Sequence, residues 1–230
     1  MNIILLFSEL VICYFSIFML YKKYRQEGLR IWLLIAMLLS NIMITKSILI
    51  SNVDINLGII TEATIFIVAN IIIQKEGKDK IFEILKLLIW ASIFSYGLFL
   101  IVGLTNISNI AVQTDKAFNR LFFYNIIIYL VNNISLFISL LLNSTIYYSI
   151  KRMANKIWLS NFLSTILSQL IYNILFGFIY LSMNNTIFNV IIIVIIRYLL
   201  TLFTILLGTI FIYYIYKEGN YENKKTRINK

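Results

Sequence analysis

The stretch that decides the fold is residues 187–216, IFNVIIIVIIRYLLTLFTILLGTIFIYYIY, in which Arg197 is the one charged residue. A helix needs about 20 largely apolar residues to cross a hydrocarbon core of about 30 Å. This run is longer, so it tilts or extends past the bilayer. Working outward, six further apolar runs lie at roughly 3–21, 31–50, 57–74, 81–103, 121–149 and 157–182. The sequence therefore predicts an all-α polytopic transmembrane helix bundle of seven spans, or of six with a peripheral first helix. The run at 3–21 has no basic leader and no small-residue cleavage site before Lys22, so it reads as a retained helix rather than a signal peptide. Residues 1–217 form one transmembrane domain in this reading. Residues 218–230 form a polar, disordered cytoplasmic tail, since they lack apolar partners.

Composition agrees and excludes much else. Of 230 residues, 60% are apolar and 13% charged. Soluble domains run at roughly 45–50% and about 25%. There is no His, and Cys13 stands alone, which leaves no disulfide framework and no CxxC metal or redox site. Without His, and with no base beside Cys13, no catalytic dyad is legible, so no enzyme, cofactor or metal is expected.

The net charge of +10 is distributed unevenly. Lys22, Lys23, Arg25 and Arg30 share the first loop. Lys75, Lys78 and Lys80 lie in the third, Lys151, Arg152 and Lys156 in the fifth, and Lys217, Lys224, Lys225, Arg227 and Lys230 in the tail. The alternate loops carry only Lys116 and Arg120. Cytoplasmic loops collect Lys and Arg. The N-terminus is thus expected outside and the C-terminus in the cytoplasm of a multi-pass inner-membrane protein. The basic excess is topological, and no nucleic-acid partner is expected.

Polar side chains inside spans usually face the bundle or a wet cavity, because hydrocarbon offers them no hydrogen bonds. Asn41 and Thr45 share a helix face, with Lys46 near the outer end. Asn70 and Gln74 form an amide face, with Glu62 two turns away. Tyr129, Asn132 and Asn133 follow i, i+3, i+4 spacing, with Arg120 and Asn125 just before them. Asn161, Ser164, Thr165, Ser168, Gln169, Tyr172 and Asn173 make a polar stripe. Arg197, near mid-span, needs an acid, and Glu62 and Glu83 are the candidates. Each cluster has a plainer reading as helix-packing hydrogen bonds. Carboxamides paired at i, i+4 also suit the mixed donor and acceptor edge of a planar heterocycle.

Several of these residues carry a resemblance. Glu27-Gly28-Leu29 through Trp32, Ser40-Asn41-Ile42 with Lys46, and Asn70 through Lys78 with Gln74, Glu76 and Gly77 are similar to elements of the VUT family of queuosine precursor transporters. The block Trp158-Leu159-Ser160-Asn161, continuing through Ser164-Thr165, Ser168-Gln169 and Leu170-Ile171, is the most specific part. Arg120 and Tyr129 fall where the family has Arg and Tyr. The resemblance spans nearly the whole chain. It implies an uptake transporter for a 7-deazaguanine precursor, working by alternating access. Asn70, Gln74, Asn161 and Gln169 would bond the base edge, with Ser164 and Thr165 beside them. Arg120 and Arg197 would be cavity charges, Asn41 and Lys46 would line the outer vestibule, and Phe66 or Tyr129 would stack on the ring. Asn70, Gln74, Tyr172 and Gly208 stand where the family carries acids. An amide cannot titrate, so proton coupling would fall to Glu62 or Glu83. The expected partners are a small-molecule substrate and the lipid bilayer, with self-association left open. The alternatives are a non-transporting scaffold, a substrate-binding subunit of a larger transporter, or a relative carrying another vitamin or nucleobase.

Overall fold

The computed structural model describes residues 2–50, 53–105, 112–123, 125–183 and 185–228. Helices dominate: α1 (Asn2–Met43), α2 (Ile59–Glu76), α3 (Lys80–Gly103), the short α4 (Val112–Phe118), α5 (Ile126–Ala154), α6 (Ile157–Ile179) and α7 (Ile187–Ile228). Among the described residues, five helical stretches are long and apolar enough to cross a membrane. They begin at residues 4, 80, 112, 157 and 187. The chain is thus an all-α membrane bundle in its main architecture.

α1 is broken at Arg25, whose φ of 54° and ψ of −127° lie outside the helical region. A Cβ added to Gly28 would collide with the Leu20 backbone carbonyl. Residues eight apart in a straight helix are about 12 Å apart. That approach requires the chain to reverse at Arg25, so α1 is two antiparallel arms, with Tyr21 and Leu29 buried at the turn.

α2 is the centre of the bundle. Every residue from Ile59 to Ile73 is buried, and the helix packs against α1, α3, α5, α6 and α7. A helix enclosed on all sides has no lipid face, so its charged and amide residues need not be excluded. Three charged residues, Glu62, Lys75 and Glu76, separate it in composition from the five long stretches.

Two expectations are corrected. The second run, read as helical to residue 50, stops at Met43, and Ser47–Ile50 pairs antiparallel with Val53–Asn56. Ser47-Ile48-Leu49-Ile50 and Val53-Asp54-Ile55-Asn56 are rich in β-branched residues, which suit a strand. The Asn56 side-chain amide donates to the Ile44 carbonyl at 2.9 Å and closes the helix end onto the hairpin. The fifth run, read as one helix from 121, breaks before Ile126: a single π-helical turn covers Asn119–Phe123. At the other end, the backbone of α7 continues to Ile228, through the segment read as a tail. The tail's side chains and residues 106–111 of the longest expected loop lie outside the described residues.

Candidate functional site

The face of α2 that carries Glu62, Phe66, Asn70 and Gln74 at i, i+4 intervals is the backbone of the site. It places an acid, an aromatic ring and two amides in register along the bundle axis, about 18 Å from first to last at 1.5 Å per residue.

Nearest the basic loops, Gln74 is half-buried and its side-chain oxygen accepts from the Tyr147 hydroxyl. One turn on, Asn70 is buried and fully engaged. Its amide nitrogen donates to Asn161 Oδ1 at 2.8 Å, Thr165 Oγ1 at 2.9 Å and Ser164 Oγ at 3.2 Å. Its oxygen accepts from Asn143 Nδ2 at 2.7 Å. Asn143 belongs to this set, although the sequence reading did not single it out. Its face of α5 continues that of Ser135, Ser139 and Tyr147 at i+4 steps, and this periodicity was the available signal.

Phe66 follows, its ring 6.2 Å from that of Tyr172. The Tyr172 hydroxyl donates to the Asn132 side-chain oxygen. Asn132 Nδ2 donates to Asn41 Oδ1 at 3.0 Å, and Asn41 Nδ2 donates to Asn133 Oδ1 at 3.2 Å. Asn133 donates onward to the Tyr96 hydroxyl, and the Tyr96 ring stacks on Tyr129 at 5.5 Å. Asn41 and Tyr129 thus join one buried network with α5, although the hydroxyl of Tyr129 itself donates to the Leu121 carbonyl.

At the far end, Arg197 and Glu62 form an ion pair at 3.4 Å, with side chains 0% and 1% exposed. Between the two acids weighed for Arg197, the fold selects Glu62. Arg197 Nε also donates to Asn173 Oδ1 at 3.2 Å, and its guanidinium carbon lies 4.7 Å from the Phe176 ring centroid. Asn173 Nδ2 donates to the Gln169 carbonyl at 2.8 Å. An arginine at this depth costs at least about 2.5–3.5 kcal/mol to insert, which the acid, the amide and the ring offset together.

Several buried polar atoms have no partner among the described residues: Arg197 Nη1, Gln169 Nε2, Asn161 Nδ2, Ser168 Oγ, Asn143 Oδ1 and Glu62 Oε1. Buried polar groups are rarely left so. Asn143 and Asn161 are bonded to Asn70, and Arg197 to Glu62, so four of these residues, Glu62 included, belong to the Glu62–Asn70 face or touch it.

Three predicted site residues lie apart from this network. Lys46 is exposed at the base of the hairpin. Arg120 is exposed on the π-helical turn, where its carbonyl accepts from Asn125 Nδ2 at 2.7 Å. Glu83 is exposed and bonded by Lys80 at 2.8 Å.

Residues 56–215 match the family described as "putative vitamin uptake transporter". The chain belongs to that family. The matched region runs from the end of the hairpin into α7, so it holds α2 to α6 whole and α7 as far as residue 215. Neither a curated protein nor a solved structure matches this member of the vitamin uptake transporter family. Membership makes it a membrane protein of a transporter family, whose cargo is a small molecule. The matched region contains the hydrogen-bond and ion-pair partners described above for Glu62 and Asn70, while α1 adds Asn41 to the α5 network and Trp32, which donates to Thr64 at 3.1 Å.

Proposed function

We propose that this family member takes up a small planar heterocycle across the cell's inner membrane, by resemblance a 7-deazaguanine precursor of queuosine. The site is the Glu62–Phe66–Asn70 face of α2 together with Gln169, Asn161 and Arg197. The observation that carries the reading is a set of buried polar atoms on α2, α6 and α7 that lack hydrogen-bond partners among the described residues. Arg197 Nη1, Gln169 Nε2 and Asn161 Nδ2 are donors and Glu62 Oε1 is an acceptor. A deazapurine edge offers the complementary carbonyl and N–H groups, and aromatic rings beside them suit its π-face. In this reading the bundle has seven spans: the two arms of α1, then α2, α3, α5, α6 and α7. Its N-terminus faces outward.

The two kinds of amide act differently. Asn70 spends its hydrogen bonds on α5 and α6 and holds helices together. Gln169 keeps its side-chain donor free. Losing one substrate hydrogen bond, with the partner left unpaired, costs about 1–3 kcal/mol. Gln169→Leu is therefore expected to weaken uptake at limiting substrate roughly tenfold to a hundredfold, at a normal level of folded protein. Asn70→Leu is expected to lower the level of folded protein instead. The measurement is initial uptake of labelled 7-deazaguanine in cells, divided by folded protein. Wild-type normalised uptake in Gln169→Leu at every substrate concentration would remove Gln169 from the site.

A further inference from the structure

We infer that Glu9 is the proton-binding carboxyl of the transport cycle. The inference rests on the transporter reading and assigns its energy coupling to a residue outside the region matched to the family. The starting point is an inventory of the acids on the apolar helical stretches. Glu83 is exposed, with Lys80 bonded to both its oxygens at 2.8 Å. Its charge is already balanced in water. Glu62 is tied to Arg197. Protonating it would strand a guanidinium with no exposure to solvent, and breaking a buried pair is strongly unfavourable. Glu62 therefore keeps its charge for as long as Arg197 stays beside it.

Glu9 differs from both. It sits on the first arm of α1, half-buried, beside the buried Leu10 and one turn before the buried Cys13. Its carboxyl accepts a hydrogen bond from Thr61 Oγ1 at 2.8 Å, and among the described residues no cation pairs with it. An unpaired carboxylate in apolar surroundings is costly, whereas a carboxylic acid with one hydrogen bond is tolerated. The groups that face it are few. Cys13 comes from its own arm, with its sulfur 3.8 Å from Thr61 Oγ1. Thr61 and then Glu62 come from α2, with Arg197 of α7 behind Glu62. The second arm of α1 contributes the thioether of Met43, 3.9 Å from Thr61 Oγ1.

This placement couples the proton to the site. Thr61 and Glu62 are consecutive residues of α2, and a charge on Glu9, bonded to Thr61, is felt at the carboxylate that holds Arg197. With a proton on Glu9, the Glu62–Arg197 pair stands alone. Without it, a second negative charge repels the Glu62 carboxylate and weakens its hold as an ion-pair partner. Thr61 lies in the first turn of α2, at the end of the bundle that carries the hairpin and away from the basic loops. Water at that end supplies the proton, forming the O–H bond on Glu9. In the opposite state of the cycle that bond breaks and the proton leaves to water at the basic end.

A purely structural Glu9 would accept the Thr61 hydrogen bond equally well as glutamine, so Glu9→Gln separates the two roles. The test uses the full chain in proteoliposomes with labelled 7-deazaguanine as probe, and infrared spectroscopy of the purified chain without probe. An inward gradient of about one pH unit supports about tenfold accumulation by one-proton symport. Glu9→Gln is expected to accumulate no probe above equilibrium, and Glu9→Asp to restore part of the accumulation. A carboxylic-acid carbonyl band that shifts in heavy water is expected in the wild type and in Cys13→Ser, and lost in Glu9→Gln. Undiminished accumulation in Glu9→Gln, or persistence of the full band, would overturn the assignment. A wild type that moves no probe under any gradient defeats the transporter reading instead. The infrared arm then still decides whether Glu9 holds a proton.

Discussion

At the scale of single residues, the Glu62–Arg197 pair is the sharpest test of how the interior is held. Removing one partner of a buried pair costs about 3–5 kcal/mol, because the other is left charged and alone. Replacing both by apolar groups of similar size removes that penalty. Arg197→Met and Glu62→Leu are each expected to lower the thermal stability of the purified chain sharply, and the double variant to be more stable than either. Stabilities that simply add would mean that the two charges do not depend on each other. The pairing itself was half legible in sequence. An arginine in a run of thirty residues must find an acid, but the choice between Glu62 and Glu83 depended on which helix is enclosed. α2 is surrounded on every side, whereas α3 turns Glu83 outward. No periodicity within either helix records that difference. Gly208 is likewise explained only by packing. A Cβ there would collide with Ile67 and the Tyr14 hydroxyl, which donates to the Thr204 carbonyl at 2.7 Å.

At the scale of elements, apolar run length located the helices well, because lipid imposes a length that composition reports directly. It failed where a run ends in β-branched residues, since short apolar segments suit a strand and a buried helix equally. The Ser47–Ile50 strand is that case. The reversal in α1 was legible as a basic loop, yet its residue was not. The left-handed φ falls on Arg25, although Gly28 stands three residues on. Gly28 is used instead for its missing side chain, since Leu20 occupies the space a Cβ would take. An L-residue in the left-handed region costs about 1–2 kcal/mol relative to glycine. Arg25→Gly and Arg25→Val both remove the cation from the Tyr21 ring, 5.6 Å away, so their difference isolates the backbone. Arg25→Gly is expected to be the more stable by about 1–2 kcal/mol in thermal unfolding of the purified chain. Equal stabilities would mean that the two arms set the turn and the residue at 25 does not matter.

At the scale of the whole molecule, the charge asymmetry and the packing describe the same axis. Arg30, at the start of the second arm of α1, pairs with Glu76 at the end of α2 at 2.6 Å. Lys78, just beyond α2, lines one pocket of about 610 Å³ with Lys151, Arg152 and Asn155 at the end of α5. The first, third and fifth basic loops therefore meet at one end of the bundle. The hairpin lies at the other end, against α7. Contacts between residues far apart in sequence thus sort the loops as their charges do, and charge bias sets orientation in the membrane. Single cysteines introduced at positions 78, 155 and 225 on a Cys13→Ser background are expected to resist an impermeant thiol reagent added to intact cells. A cysteine at position 54 in the hairpin is expected to react. After the membrane is opened, all four should label. Labelling at 78 and 155 but not 54 would invert the molecule and place Glu9 on the cytoplasmic side. A split between 78 and 155 cannot arise from this packing, because one pocket holds both ends, and would count against the bundle itself.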